Sequence, residues 1–387
     1  MIFKKKIYIF LNNKIISCDT IVPIAQEVKN KNNNIEIIFY VFNKKTYNII
    51  KKNKNLYSIL SLTGSLHLFG WKVLNNHKIL NILFKVINLL AISINTIFSK
   101  SICIHFNALE KFPLNLIYYI NKKNTYYFDS NSWGTEKLTL KTDSIFYKNR
   151  TEDSNYVKNY ASLVAFNDHW HQLKYAKKLN KSFFIINPSR ILSAWKKKIE
   201  DLANTEKNLQ PKWLKNKKKN IIFIIGSLDN LPTLHAKSTG ASLLNETIDL
   251  IINKTELNIL LKPHAITDMK KLKKILTFKN KRRIFIVYNH VSVLAKFSDF
   301  CIGNYFSYAM PDAWVNDVYV IEYSHYSDEV LKLSKNKSVV NKYVDKFINK
   351  NPKELSRVLK RKKENINRNL ILKNNKSTNL LIDKLSL

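Results

Sequence analysis

The segment Leu257–Leu276, LNILLKPHAITDMKKLKKIL, runs an apolar pattern into Lys262-Pro263-His264 and then into a basic, helix-like stretch. A proline at a strand exit removes a backbone donor and fixes φ, so it holds the following residue in a defined direction. His264 is therefore expected to point away from the strand end into a cleft. Two later runs end in a similar way: RIFIVY leads into Asn289-His290, and FCIG into Asn304-Tyr305-Phe306-Ser307 ahead of Pro311-Asp312-Ala313-Trp314. Ser307, before a helix start, is suited to hold a phosphate through the dipole and its hydroxyl. Asp312 cannot cradle phosphate, but it can accept from a ribose hydroxyl or order the loop. Gly226, which closes IIFIIG before Ser227, marks a point where backbone can approach a ligand.

Other chemistries leave no trace in the pattern. No GxGxxG follows the first strand and no GxxxxGK[ST] occurs, which disfavours a dehydrogenase and a P-loop ATPase. No DxD pair in a strand context points to a metal-dependent sugar transferase. The one dense histidine group, Asp168-His169-Trp170-His171, places its histidines at i and i+2, on one face only if extended. A zinc site there is not expected, nor any metal or cofactor elsewhere.

Strands alternating with helices must position these residues. The first half offers Lys6–Leu11, Glu36–Phe42, Ser101–Phe106, Thr125–Ser130, Ser162–Asn167 and Ser182–Asn187 as strands, with Asp19 expected to cap the first helix. A second series starts at Asn220 and continues through NILLK, RIFIVY, FCIG and YVIEY. The Lys-rich stretch Pro211–Lys219 separates the two. The expectation is an α/β chain of two doubly wound, Rossmann-like domains, 1–205 and 220–345, followed by basic C-terminal helices over 346–387. In such folds ligands bind at the carboxyl ends of parallel strands, in a cleft made by the loops after them.

The chain has 387 residues, 45% of them hydrophobic, 12% aromatic, and a formal charge of +37. Lysine is spread over the whole chain beside abundant Asn and Ile, and no nucleic-acid motif accompanies it, so nucleic acid is not expected as a partner. An anionic membrane or a phosphorylated substrate fits the charge better. Three dispersed cysteines, Cys18, Cys103 and Cys301, give no disulfide framework and suggest a reducing cytoplasm. MIFKKKIYIFLNN lacks a cleavage site after its short apolar run and reads as a first strand, not a signal peptide. Ile79–Phe98 is long enough to cross a bilayer, but Asn81, Lys85, Asn88 and Asn95 recur on one helical side. That pattern suggests an amphipathic helix on a core or at a membrane surface.

Taken together, KPH, V-S-x-L-x-x-x-S-D from Val291, S-Y-A-x-x-D-A from Ser307 and V-Y-V-I-E-Y from Val318 resemble the donor half of bacterial GT-B glycosyltransferases of surface polysaccharide synthesis. The likeness is nearest to the sialyl-, polysialyl- and Kdo-transferases with a His-Pro motif and to their glycerophosphotransferase relatives. It covers about Asn220 to Tyr323. Here Ala265 stands where those proteins have proline, and Ser307-Tyr308 where they have paired serines. The resemblance implies that His264 meets the nucleotide phosphate or leaving group, and that Ser307 binds phosphate. It implies a nucleotide-sugar donor, such as a CMP-activated acidic sugar, and a cell-surface glycan or glycolipid acceptor. Contacts to the nucleotide base are expected around Gly226-Ser227 and Asn289, at the strand ends. Charge on the departing phosphate then calls for Lys262 and His264, and the acceptor hydroxyl for a general base from the first half. Asp129 in YYFDSNSWGTE is the first candidate, with Glu136 and Asp19 behind it. The alternatives are transfer of a polyol phosphate from a CDP donor, and a non-catalytic partner that binds glycan or membrane.

Overall fold

The structure is a computed structural model of the full chain. It describes residues 5–12, 15–69, 78–129, 157–166, 173, 176–215, 219–229, 236–264, 267–277, 281–338, 341–360 and 376–387. Glu136, Ala265 and the 168–171 histidine group lie outside them.

Two compact units emerge. One draws its described residues from Met1–Glu136, Thr151–Lys198 and Leu372–Leu387, the other from Ile199–Ile371. The first holds a seven-stranded sheet of β1 (Lys6–Phe10), β2 (Glu36–Val41), β3 (Ser65–Leu68), β4 (Ile102–His105), β5 (Thr125–Phe128), β6 (Ser162–Phe166) and β7 (Ser182–Ile186). Its order is β3-β2-β1-β4-β5-β6-β7, and every pairing is parallel. KIYIF and ICIH have no polar alternation because helices cover both faces of a parallel sheet. Cys18, Cys103 and Cys301 are buried and unbridged.

The first helix, Ile15–Lys31, starts before Asp19. Asp19 is thus not its cap but a residue of its second turn, with a carboxylate oxygen 3.9 Å from Nη1 of buried Arg190 after β7. Glu27, two turns further on, accepts from Ser193 Oγ and Ala194 N, which holds the start of the helix Ser193–Leu209. The C-terminal helix Lys376–Ser386 packs on the first helix and on β7, and Thr378 Oγ1 accepts from Asn187 N at 3.2 Å.

The second unit holds β8 (Asn220–Ile225), β9 (Asn258–Pro263), β10 (Ile284–Ile286), β11 (Phe300–Gly303), β12 (Tyr319–Ser324) and β13 (Lys346–Asn349). They form a parallel sheet in the order β10-β9-β8-β11-β12-β13. Strand order reverses direction at β1/β4 in one sheet and at β8/β11 in the other. At such a point the crossovers before and after leave on opposite faces, and a crevice opens at the strands' carboxyl ends.

Candidate functional site

The β8/β11 switch point brings together the loop that begins at Gly226 and the loop Asn304–Ser307, with the β9 exit beside the first and the β12 exit beside the second. Gly226 follows the last residue of β8, and a Cβ built on it would meet nothing within 4 Å. The space above this backbone is open. The next turn is rigid: Asp229 N donates to Ser227 Oγ, and Leu228 and Asp229 carbonyls accept from the first two N–H groups of the helix Gly240–Lys254. Gly240 presses against the Ser227 carbonyl so closely that a Cβ there would lie 2.0 Å from its oxygen.

His264 follows Pro263 directly, and its backbone is held at three points. Its N–H faces both the Ile225 carbonyl and Thr267 Oγ1 at 2.9 Å, and its carbonyl accepts from Thr267 N at 3.0 Å. Thr267 Oγ1 also bonds the carbonyls of Ile225 and Gly226 at 3.1 and 2.9 Å. The imidazole is exposed beside the Gly226 loop. Lys262 turns its ammonium to the Tyr288 carbonyl at 3.1 Å, which ties the β9 and β10 exits together. Asn289 donates to Glu206 Oε1 at 2.6 Å, so its amide braces the helix Ser193–Leu209.

Beyond β11, Asn304 donates to Thr247 Oγ1 and to the Tyr323 carbonyl. Tyr305 adopts a left-handed backbone with φ of 66°. It is held by Ser324 Oγ, which accepts its N–H at 3.1 Å, and by its own hydroxyl, which donates to the Ser238 carbonyl at 2.6 Å. Ser324 in turn donates to Glu322 at 2.7 Å, and Ser338 donates to the other oxygen of the same carboxylate. Glu322 is fully buried, and burial pushes its carboxyl above the usual range, against the pull of these hydroxyls. The signal for this network in the sequence is the glutamate inside the otherwise apolar strand YVIEYS, since a buried carboxyl needs hydrogen-bond partners.

Ser307 lies half-buried, with Oγ accepting from Ala309 N and its carbonyl from Met310 N. Asp312 sits at 1% exposure in the short helix Met310–Trp314, close enough to Cys301 for its charge to help raise that thiol. Of the two roles expected for Asp312, ordering the loop suits such a position and meeting a ribose does not. At the edge of the site, Ser238 Oγ lies 2.5 Å from His325 Nδ1, and Tyr323 donates to Glu246. Burial, with Lys350 and Lys237 nearby, lowers the His325 pKa.

In the first unit Asp129 follows β5 and extends its ladder, donating its N–H to the Val164 carbonyl at 3.1 Å. It is 8% exposed and, by strand alternation, shares a face with Tyr127, whose ring lies 5.5 Å from that of His105. His105 ends β4, the strand at the switch point. Leu109 N reaches its Nδ1 at 3.5 Å, and burial drives its pKa down to about 3.

No protein-family model matches the chain, and no curated protein sequence matches it. Solved structures do. Arabidopsis thaliana UGT89C1 complexed with UDP superposes with a TM-score of 0.52 over 99% of this chain and 100% of that one, at 11% identity. S. aureus MnaA with UDP gives 0.50 over 82% and 79%, at 16% identity. Glycyrrhiza uralensis UGT73P12 complexed with glycyrrhetinic acid 3-O-monoglucuronide gives 0.50 over 99% and 91%, at 7% identity. At these identities the likeness concerns the fold, and that fold is GT-B.

Proposed function

We propose that the protein is a glycosyltransferase, independent of metal, that moves a sugar from a nucleotide-sugar donor to a cell-surface glycan or glycolipid. The observation that carries this reading is the built crevice at the β8/β11 switch point: an open backbone at Gly226, an exposed His264 on a three-point backbone anchor, and a Tyr305 loop held from a buried Glu322. Charge appears on the departing phosphate as the glycosidic bond to it breaks, and an imidazole N–H donor carried on an anchored backbone beside the nucleotide lowers the barrier for that step. His264 has this role in the proposal, with Ser307 and the Gly226-Ser227 backbone as phosphate neighbours. Asp129 is proposed to take the proton of the acceptor hydroxyl.

UDP in two of the similar structures supports a UDP-sugar donor. The motif resemblance supports a CMP-activated acidic sugar, so the two compete in one experiment. Purified protein is incubated with CMP-, UDP- and GDP-sugars, and nucleotide release and thermal stabilisation are recorded. Release from one class, abolished by His264→Ala, is the expected result; no release and no stabilisation with any class overturns the proposal. The peripheral location proposed for the protein is the cytoplasmic face of the cell membrane, where lipid-linked acceptors are presented.

A further inference from the structure

The helix Lys78–Ser99 is long and apolar enough to cross a membrane by length and composition. Its packing assigns it elsewhere. Leu89 and Ile92 are buried in the core with Tyr8, Phe10 and Cys103, and Ser93 and Thr96 complete the same stripe at i, i+3, i+4 and i+7. The helix therefore lies along the first sheet. The side turned away from that stripe carries Leu83, Ile87, Leu90, Ile94 and Phe98 at 51, 48, 55, 47 and 66% exposure, with Ile97 beside them at 58%. The short helix Asn115–Ile120 packs beside it and continues the apolar surface with Tyr119, while Phe112 stands just ahead, 79% exposed. Such a run far exceeds the isolated exposed side chains of ordinary surfaces.

Charge decides among the occupants. From Lys78 to Asn124 the sequence has six lysines and one acid, Glu110. That carboxylate is engaged, accepting from Lys158 N and Asn159 N at 3.2 and 2.8 Å. Lys85, Lys100, Lys111, Lys122 and Lys123 are exposed. A second copy would bring the same positive rim against this one. An anionic bilayer offers apolar depth for the stripe and negative headgroups for the rim.

We infer that this face is a membrane-docking surface, on which the helix Lys78–Ser99 and its neighbour Asn115–Ile120 lie in the headgroup layer of an anionic bilayer, with the sheet behind them. The inference deepens the peripheral location named above and rests on that part alone. The test uses the full chain without donor or acceptor. Flotation is measured with vesicles of phosphatidylcholine and of phosphatidylcholine with phosphatidylglycerol. Binding to the anionic vesicles is expected to be roughly tenfold or more above the neutral ones and to fall with salt. Leu90→Glu with Ile97→Glu should abolish it with no change in the thermal midpoint, because both side chains are already in water. Lys122→Glu with Lys123→Glu should remove the preference for anionic vesicles. Failure to bind either vesicle, or binding that survives Leu90→Glu with Ile97→Glu, overturns the inference. So does self-association lost in that double variant without vesicle binding, which would assign the face to a second copy. Nucleotide-sugar turnover on a soluble acceptor should be equal in wild type and the Leu90/Ile97 variant, so a failed transferase reading and a failed docking reading are told apart.

Discussion

Two glycines separate folding from ligand binding at the candidate site. A side chain added at Gly226 meets nothing within 4 Å, and its φ lies outside the left-handed region that favours glycine. Gly226→Val should leave the fold intact, and restricting the unfolded chain adds about 0.4–1 kcal/mol of stability. In the complex the same branch stands where the proposed nucleotide passes. Overpacking costs about 1–3 kcal/mol, or roughly 5- to 150-fold in Kd. Gly240→Ala reverses the pattern. Its Cβ would lie 2.0 Å from the Ser227 oxygen and 3.0 Å from the carbonyl carbon, both backbone atoms that cannot rotate away. The helix Gly240–Lys254 and the Gly226–Asp229 turn must separate, at a cost of about 3 kcal/mol or more. Urea unfolding gives the stabilities, and calorimetric titration with the nucleotide that the wild type binds gives the affinities. If Gly226→Val binds that nucleotide like the wild type, the β8/β11 crevice is not its site. If it instead unfolds more easily, the open space above Gly226 is filled by something else and the packing argument fails.

Three more outcomes follow from the same contacts. His264→Ala leaves the backbone anchor on Ile225 and Thr267 in place, so stability should stay within about 0.5 kcal/mol while kcat falls about 10²–10³-fold; Asp129→Asn should lower kcat with donor Kd unchanged, and a parallel loss of donor binding would speak against a base. Glu322→Ala strands the hydroxyls of Ser324 and Ser338, each costing about 1–3 kcal/mol, and frees Tyr305; lower stability with unchanged nucleotide affinity would show that the Tyr305 loop does not serve the site. His105 has its folded pKa depressed from 6.5 to about 3, so the unfolded state binds the extra proton between those values and stability falls as pH drops from 6.5 towards 3, by up to about 1.4 kcal/mol per unit. His105→Asn, which keeps an acceptor for Leu109 N, should flatten that slope in urea titrations run across the window.

The central strands were legible because a run such as NIIFII or SLVAF has one reading: apolar on both sides, bounded by polar turns. Of the edge strands, β7 and β10 were legible as SFFIIN and RIFIVY, but β3 and β13 were not. SLHL alternates exposed and half-buried residues, and KFIN starts on Lys346 and is followed by Lys350, so nothing in β3 or β13 separates an edge strand from a loop. Asp19 misled for a different reason. A carboxylate before an apolar run looks like a cap, but the helix already starts at Ile15, and Asp19 pairs with the distant Arg190 instead. The strand-exit loops could be placed from sequence, since their position follows from strand ends alone. The bonds their side chains make could not, because Asn289 and Lys262 reach Glu206 and the Tyr288 carbonyl, partners 83 and 26 residues away.

Pro263 shows how local and distant constraints meet. In a parallel strand alternate N–H groups serve opposite neighbours. His264 N donates to Ile225 of β8, so the preceding position would donate towards β10. The last bond on that side is from Val287 N to the Leu261 carbonyl, after which the chain turns off into Tyr288 and Asn289. A proline at 263 therefore forfeits no ladder bond although β9 is an interior strand, and it ends the sheet on the β10 side while the β8 side runs one residue further. That asymmetry leaves His264 anchored to the β8 exit. Proline fixes where the strand stops, but Thr267 helps set where the imidazole stands, since its hydroxyl accepts from His264 N, reinforces the direct bond to the Ile225 carbonyl and ties the Gly226 carbonyl to the same point. Thr267→Val should thus reproduce part of the His264→Ala loss in kcat while leaving the imidazole present, and unchanged kcat in Thr267→Val would return the aiming role to the proline.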